Sequence, residues 1–281
     1  MNNSDKLNQI ASQVRRDIVR MVHACQSGHP GGSLGCADYL TALYFHEMKL
    51  DTSNFTMDGI GEDLFFLSNG HISPVFYSVL ARRGYFEIAE LATFRKIHSR
   101  LQGHPTTHEG LPGIRMSSGS LGQGMSVALG AAQAKKLNQD PNLVFVLMGD
   151  GEQQEGQVWE AALYAGSKKV DNLIAAIDYN GQQIDGPVEK VMDLGNLRAK
   201  YEAFGWFVYD CNGHDMNELM ACLSNARSNS GKGKPQMILL KTEMGKGVDF
   251  MMGSHKWHGA APNDDQLAKA LAQLPETLGD Y

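Results

Sequence analysis

Residues 142–180, NLVFVLMGDGEQQEGQVWEAALYAGSKKVDNLIAAIDYN, carry two apolar runs with a helical pattern between them. The runs from Asn142 to Gly149 and from Asp171 to Tyr179 are short, aliphatic or β-branched, and closed by turn residues, the pattern of strands buried on both faces. Between them, Gly156 to Lys169 has helical spacing, with Val158, Ala162 and Ala165 on one side. A strand–helix–strand unit implies a crossover and hence a parallel sheet, and ligands of open parallel sheets collect outside the carboxyl ends of the strands. The fold class predicted is α/β: a doubly wound, mostly parallel sheet with helices on both faces. Gly149-Asp150-Gly151 and Asn180 then stand at the ligand-binding rim. Mg²⁺ takes about six oxygens and draws only one or two carboxylates from a protein. Asp150, the Asn180 side-chain oxygen and the Gln182 backbone carbonyl would leave room for two phosphate oxygens. An isolated GDG is otherwise a tight turn whose Asp caps the next helix, so the other motifs decide between the two.

The rest of the chain fits one domain over residues 1–281. With 42% apolar residues it can bury a large core. A formal charge of −6 with interspersed signs leaves no basic stripe, which argues against nucleic acid as a partner. Cys25, Cys36, Cys211 and Cys222 form no CxxC pair and no zinc spacing, so reduced structural thiols in a cytoplasmic protein are expected. No run approaches the ~20 apolar residues of a membrane span, and MNNSDKLNQ does not read as a signal peptide.

Working outward, Ser4 is expected to cap a first helix with Leu7, Ile10, Val14, Ile18, Met21, Val22 and Cys25 inward and Arg15 and Arg16 outward, ending at Gly28-His29-Pro30-Gly31-Gly32. A second helix is expected over 36–47, a strand over 64–68, and a helix running through Arg82. Residues 100–124 lack periodicity and read as a long functional loop. Gly122, Ser126, Gly130 and Ala134 give the following helix a small-residue face, for a contact between chains or for tight packing on the sheet. Strands are expected over 206–211 and 236–242, around a helix opened by an Asp215/Glu218 capping box.

Of ten histidines, His29, His71, His104 and His258 each lie in a Gly- or Pro-containing loop: SGHPGG, SNGH, LQGHP and KWHG. A lone loop histidine is usually just solvated, but four in such contexts suggest proton exchange with hydroxyl and carbonyl oxygens. Lys241, at a strand end, offers a positive charge for a diphosphate or is an ordinary exposed lysine. Gly119-Ser120-Leu121-Gly122-Gln123-Gly124 leads into a helix whose amides can approach a bound group.

Taken in order, SGHPGGSLG (27–35), FLSNGH (66–71), LQGHP (101–105), SLGQG (120–124), GDGEQQEG (149–156), DYNGQQIDG (178–186), YEAFGW (201–206), NGHD (212–215) and HGAAP (258–262) resemble the thiamine-diphosphate-binding half of the transketolase family. That resemblance implies Mg²⁺ or Ca²⁺ held by Asp150, Asn180 and the Gln182 carbonyl. It implies cofactor contacts from His71, Gly119, Ser120, Leu121, Gly151, Asn180, Lys241 and His258, and catalytic roles for His29, His104 and His258 at substrate hydroxyls and carbonyl oxygens. Ser120 stands where many members have proline, and Gln182 where an aliphatic residue is common. Glu155 matches a position that couples paired sites at a subunit interface.

The glutamate that activates the aminopyrimidine ring belongs, in this family, to a separate pyrimidine-binding domain that follows this one, and no carboxylate here matches it. The expectation is therefore the N-terminal subunit of a split transketolase. A C-terminal partner subunit would supply the pyrimidine domain, in an α2β2 heterotetramer working on sugar phosphates. Transfer of a two-carbon ketol group from a ketose phosphate to an aldose phosphate is the leading expectation. A sulfonated or branched sugar phosphate is an alternative substrate. Alternative functions are deoxyxylulose phosphate synthesis, the α subunit of a 2-oxo acid dehydrogenase, and a non-catalytic cofactor-binding subunit.

Overall fold

Alternate residues of each strand enter two separate cores. Phe65, Leu67, Phe145, Leu147, Ile174, Ala176, Ile238 and Leu240 belong to one. Leu64, Phe66, Val144, Val146, Leu173, Ala175, Met237 and Leu239 belong to the other. This period of two, with both faces apolar, is the doubly wound pattern expected. The structure, a computed structural model, describes residues 2–281.

Five parallel strands form the main sheet: β1 (Leu64–Leu67), β2 (Val144–Gly149), β3 (Leu173–Tyr179), β6 (Phe207–Asn212) and β7 (Gln236–Lys241), in the order β1-β2-β3-β7-β6. β4 (Gln182–Gln183) and β5 (Gly186–Pro187) make a small antiparallel ribbon just beyond β3. One face is covered by α1 (Asn3–Cys25), α2 (Pro30–Gly35), α3 (Ala37–Ala42), α4 (Ser73–Arg83) and α9 (Met216–Asn229), the other by α5 (Gln123–Leu137), α6 (Gly156–Ser167) and α8 (Leu197–Ala203). α7 (Val188–Met192) is short, and α10 (Asp264–Gln273) packs on α1. No helix of the described residues is long and apolar enough to cross a membrane.

The structure departs from the expectations in ways that have physical causes. α1 is capped by Asn2, in a reciprocal capping box with Asp5, rather than by Ser4. Pro30 does not merely follow that helix; it starts α2 at its first turn, where a missing N–H costs nothing. The single helix expected over 36–47 is α3 followed by a π-type turn over Leu43–Glu47. Arg15 and Arg16 are buried, not outward, because other segments cover the polar side of α1. Arg15 makes a bidentate pair with Asp38, and Arg16 binds Asp280 at 2.7 Å and the Leu274 carbonyl at 2.7 Å. Asp215 caps α9, but the Glu218 carboxylate accepts from Asn212 N–H instead of closing the box. On α5 the sheet-facing side is Met125, Ala128, Leu129 and Ala132, and Ser126, Gly130 and Ala134 are exposed, so the small-residue face does not serve packing on the sheet.

Candidate functional site

Four strand ends converge on one cavity of about 180 Å³. Asn69 and His71 follow β1, Gly149 to Glu152 follow β2, Asp178, Asn180, Gln182, Gln183 and Ile184 come from β3 and the ribbon, and Met244 follows β7. His29 and Gly32 at the start of α2, Gly119 and Leu121 before α5, and His258 complete the lining. The placement outside the carboxyl ends is the one expected of a parallel sheet.

One wall is acidic. The Asp150 carboxylate, 2% exposed, accepts hydrogen bonds from Gly151 N–H at 2.7 Å and Gly181 N–H at 2.5 Å. Asn180 donates to Asp178 at 2.8 Å and its side-chain oxygen accepts from Gln182 N–H at 2.8 Å. Burial and the neighbouring Asp178 carboxylate push Asp150 up to about 7. Asp178, which also accepts from Thr242 Oγ1, is raised by burial as well. The cavity lining contains no lysine or arginine. Buried carboxylates with no cation beside them are costly, and a divalent ion would relieve them. Among the described residues no three His, Cys, Asp or Glu side chains cluster as a closed metal site. A site of Asp150, Asn180 and a backbone carbonyl, completed by phosphate oxygens, fits that donor set.

The other wall is imidazole. His29 lies with ring centroids 5.2 Å from His71, 5.5 Å from His258 and 6.3 Å from His104, and His71 lies 4.9 Å from His258. Burial lowers all four below the ordinary histidine value, His29 to about 4, with the neighbouring His258 and Arg95 adding to the effect on His29. All four are therefore neutral at pH 7, each with one donor and one acceptor nitrogen. The Nδ1 atoms of His29 and His258 and the Asn69 side-chain oxygen are buried without hydrogen-bond partners. Orphaned polar atoms on residues that line a cavity call for a polar partner there.

The structure thus brings His29, His71, His258, Gly119, Leu121, Asp150, Gly151, Asn180 and Gln182 to one place. His104 stands at the mouth, exposed, with its ring against Gly119, where an added Cβ would lie 2.7 Å from it. Ser120 and Glu155 are exposed and do not line the cavity. Lys241 is not among the lining residues: it is exposed at the end of β7, on the side of Leu239, and Met244, three residues on, forms that part of the wall.

Sequence reasoning missed Glu152, Asp178, Asn69 and Met244. Glu152, 2% exposed, accepts from Gly122 N–H at 2.7 Å, Gly149 N–H at 3.0 Å and Ser68 Oγ, so it ties the Gly119–Gly124 turn to the ends of β1 and β2. Its signal, a glutamate directly after GDG, reads equally as an ordinary acidic first-turn residue. Asn69 lies within SNGH, beside the histidine that draws the eye. His214, from NGHD, accepts from Glu243 N–H through Nε2 at 2.7 Å and faces Asp38 through Nδ1 at 2.9 Å. That bond fixes the tautomer and holds the segment bearing Met244.

Comparisons with known proteins agree with this geometry. Residues 6–276 match the family described as transketolase, thiamine diphosphate binding domain. One subunit of a 6-deoxy-6-sulfo-D-fructose transketolase from Clostridium sp. (strain MSTE9) is 40% identical over 265 residues, covering 94% of this chain and 94% of that protein. One subunit of an apulose-4-phosphate transketolase from Phocaeicola vulgatus is 37% identical over 266 residues, covering 94% and 92%. The crystal structure of a Campylobacter jejuni transketolase superposes with a TM-score of 0.89 at 35% identity, covering 98% of this chain but 43% of that one. The chain therefore spans nearly all of the subunit-type relatives and less than half of the longer transketolase. The chain belongs to the transketolase family, as a transketolase-type enzyme subunit built on the thiamine-diphosphate-binding domain.

Proposed function

We propose that this chain holds the diphosphate end of thiamine diphosphate, with a divalent cation, and presents histidines to a ketose whose two-carbon ketol group is passed to an aldose. The observation that carries the reading is the pairing, in one cavity, of a cation-free acidic wall with three neutral imidazoles, His29, His71 and His258. Asp150, Asn180 and the Gln182 carbonyl would hold Mg²⁺ or Ca²⁺. His71, Gly119, Leu121 and Gly151 would contact the cofactor. When bound, thiamine diphosphate supplies the carbanion chemistry that breaks and remakes a C–C bond beside a carbonyl.

The side chains have separable tasks. His29, depressed to about 4, does not hold a second proton near neutrality, so it donates its one N–H to a substrate oxygen rather than delivering charge. His258 stands 5.5 Å from His29 and 4.9 Å from His71 and can pass a proton between neighbouring oxygens through its two nitrogens. His104, at the mouth, orients donor hydroxyls. Glu152 keeps the Gly119–Leu121 turn against the cavity.

A partner subunit carrying a pyrimidine-binding domain completes the site, in an α2β2 assembly with Glu155 and the exposed face of α5 available for contact. The test mixes this chain with its partner, thiamine diphosphate and Mg²⁺, and follows ketol transfer from xylulose 5-phosphate to ribose 5-phosphate. Transfer from no ketose by a folded complex that binds the cofactor would sink the proposal. The 40%-identical relative is named for a sulfonated ketose, which supports a second arm of the assay with 6-deoxy-6-sulfo-D-fructose as donor.

A further inference from the structure

The histidine wall depends on a residue outside it. Arg95 has a left-handed backbone, φ 58°, rare for a side chain of its size, and its N–H bonds the Leu101 carbonyl at 2.9 Å. The guanidinium reaches two loops at once. Nη1 donates to Ser27 Oγ at 3.1 Å, two residues before His29, and Nη2 points to the Gly103 carbonyl at 3.5 Å, one residue before His104. Gly103 is pressed against it so closely that an added Cβ would stand 2.6 Å from Cζ. Beneath, Phe94 lies 5.5 Å from the guanidinium and also packs near Gly28. No carboxylate pairs with Arg95 among the described residues, and its Nε is buried without a partner. A half-buried, unneutralised guanidinium in a strained turn is expensive, and such strain collects where geometry serves a site.

We infer that Arg95 is a positioning residue for the sugar side of the site: it clamps the Ser27–His29 loop against the Gly103–His104 turn and so sets the 6.3 Å separation of the two rings. The charge also helps keep both imidazoles neutral, since it disfavours a second proton on either. Arg95 lines no part of the cofactor cavity, so its loss falls on the sugar and not on the diphosphate. This rests on the reading of His29 and His104 as sugar-handling groups.

The experiment uses the chain assembled with its partner and compares wild type, R95M and R95K. KM for xylulose 5-phosphate and for hydroxypyruvate, a donor without further hydroxyls, is measured alongside the Kd for thiamine diphosphate. R95M is expected to raise the ketose KM roughly tenfold, as small misplacements of substrate-holding groups do, with the hydroxypyruvate KM and the cofactor Kd within about twofold of wild type. R95K, which keeps charge and stem but not the fork, should fall between. If R95M does not fold, R95K alone should still raise the ketose KM with the cofactor Kd unchanged. An unchanged ketose KM, or a cofactor Kd that rises in step with it, overturns the inference. Absence of transfer by the wild-type complex overturns the functional reading instead, so the two failures are told apart.

Discussion

The cavity's two walls meet the same force and respond in opposite senses. Burial pushes Asp150 and Asp178 up and His29, His71, His104 and His258 down, each toward its uncharged form. For the histidines, neutrality is the working state, because a neutral imidazole both gives and accepts a hydrogen bond. For Asp150 it runs against the proposed role, because a metal ligand must be ionised. The imidazole wall reaches its uncharged state by burial alone, and the acidic wall, on the proposed reading, would reach its ionised state only with a cation.

That contrast can be broken most severely at Asp150. Asp150→Ala should weaken metal-supported thiamine diphosphate binding by on the order of 100-fold, measured by calorimetry, and a chelator should do the same to wild type. Equal affinity with and without metal would remove the acidic wall from the diphosphate site. On the opposite wall, His258→Ala should lower kcat by about 100-fold while the thermal midpoint stays put. Retained turnover would take His258 out of proton transfer. Between the walls, Glu152→Gln places an amide N–H against donors already present at Gly122, Gly149 and Ser68. A loss of about 1–3 kcal/mol in urea unfolding, with weaker cofactor binding, is expected. No change in either would mean the turn holds itself. The last effect is confined to acid pH. The folded value of His29 lies at about 4 against an ordinary 6.5, so the unfolded chain binds the extra proton first. Its contribution to stability is complete above about 6.5 and lost as pH falls toward 4. His29→Asn should flatten that decline in urea midpoints taken across the window. An equally steep decline in the variant would assign it to other groups.

Much of this is legible in residue order. The apolar runs mark β2, β3 and β7 to within a residue or two, because strands buried on both faces leave continuous aliphatic stretches. The four histidines are legible because glycines and prolines set them in loops. The strand order is not, since the position of β6 outside β7 is decided by how a crossover packs and not by any strand's own composition. Arg15 and Arg16 mislead for a related reason: periodicity says which side of a helix is polar, not what later comes to lie on it. Met244 lines the cavity three residues past the end of β7, at a position that no strand pattern marks. Glu152 and Arg95 act through backbone groups and loop geometry, which leave no pattern in a sequence.

Two arginines of α1, Arg16 and Arg20, have one more consequence, for the order of events as the chain is made. Gln13, Arg16 and Arg20 bond Asp280, and Gln13 also accepts from the amides of Thr277 and Leu278, joining residues about 264 positions apart. α1 is synthesised well before the segment that secures it, and until residue 280 arrives the guanidinium groups of Arg16 and Arg20 lack their carboxylate partner. Contacts of such separation slow folding and leave intermediates exposed. Removing the contacts of residues 277–280 is therefore a change in how long the nascent chain waits, before it is a change in the site.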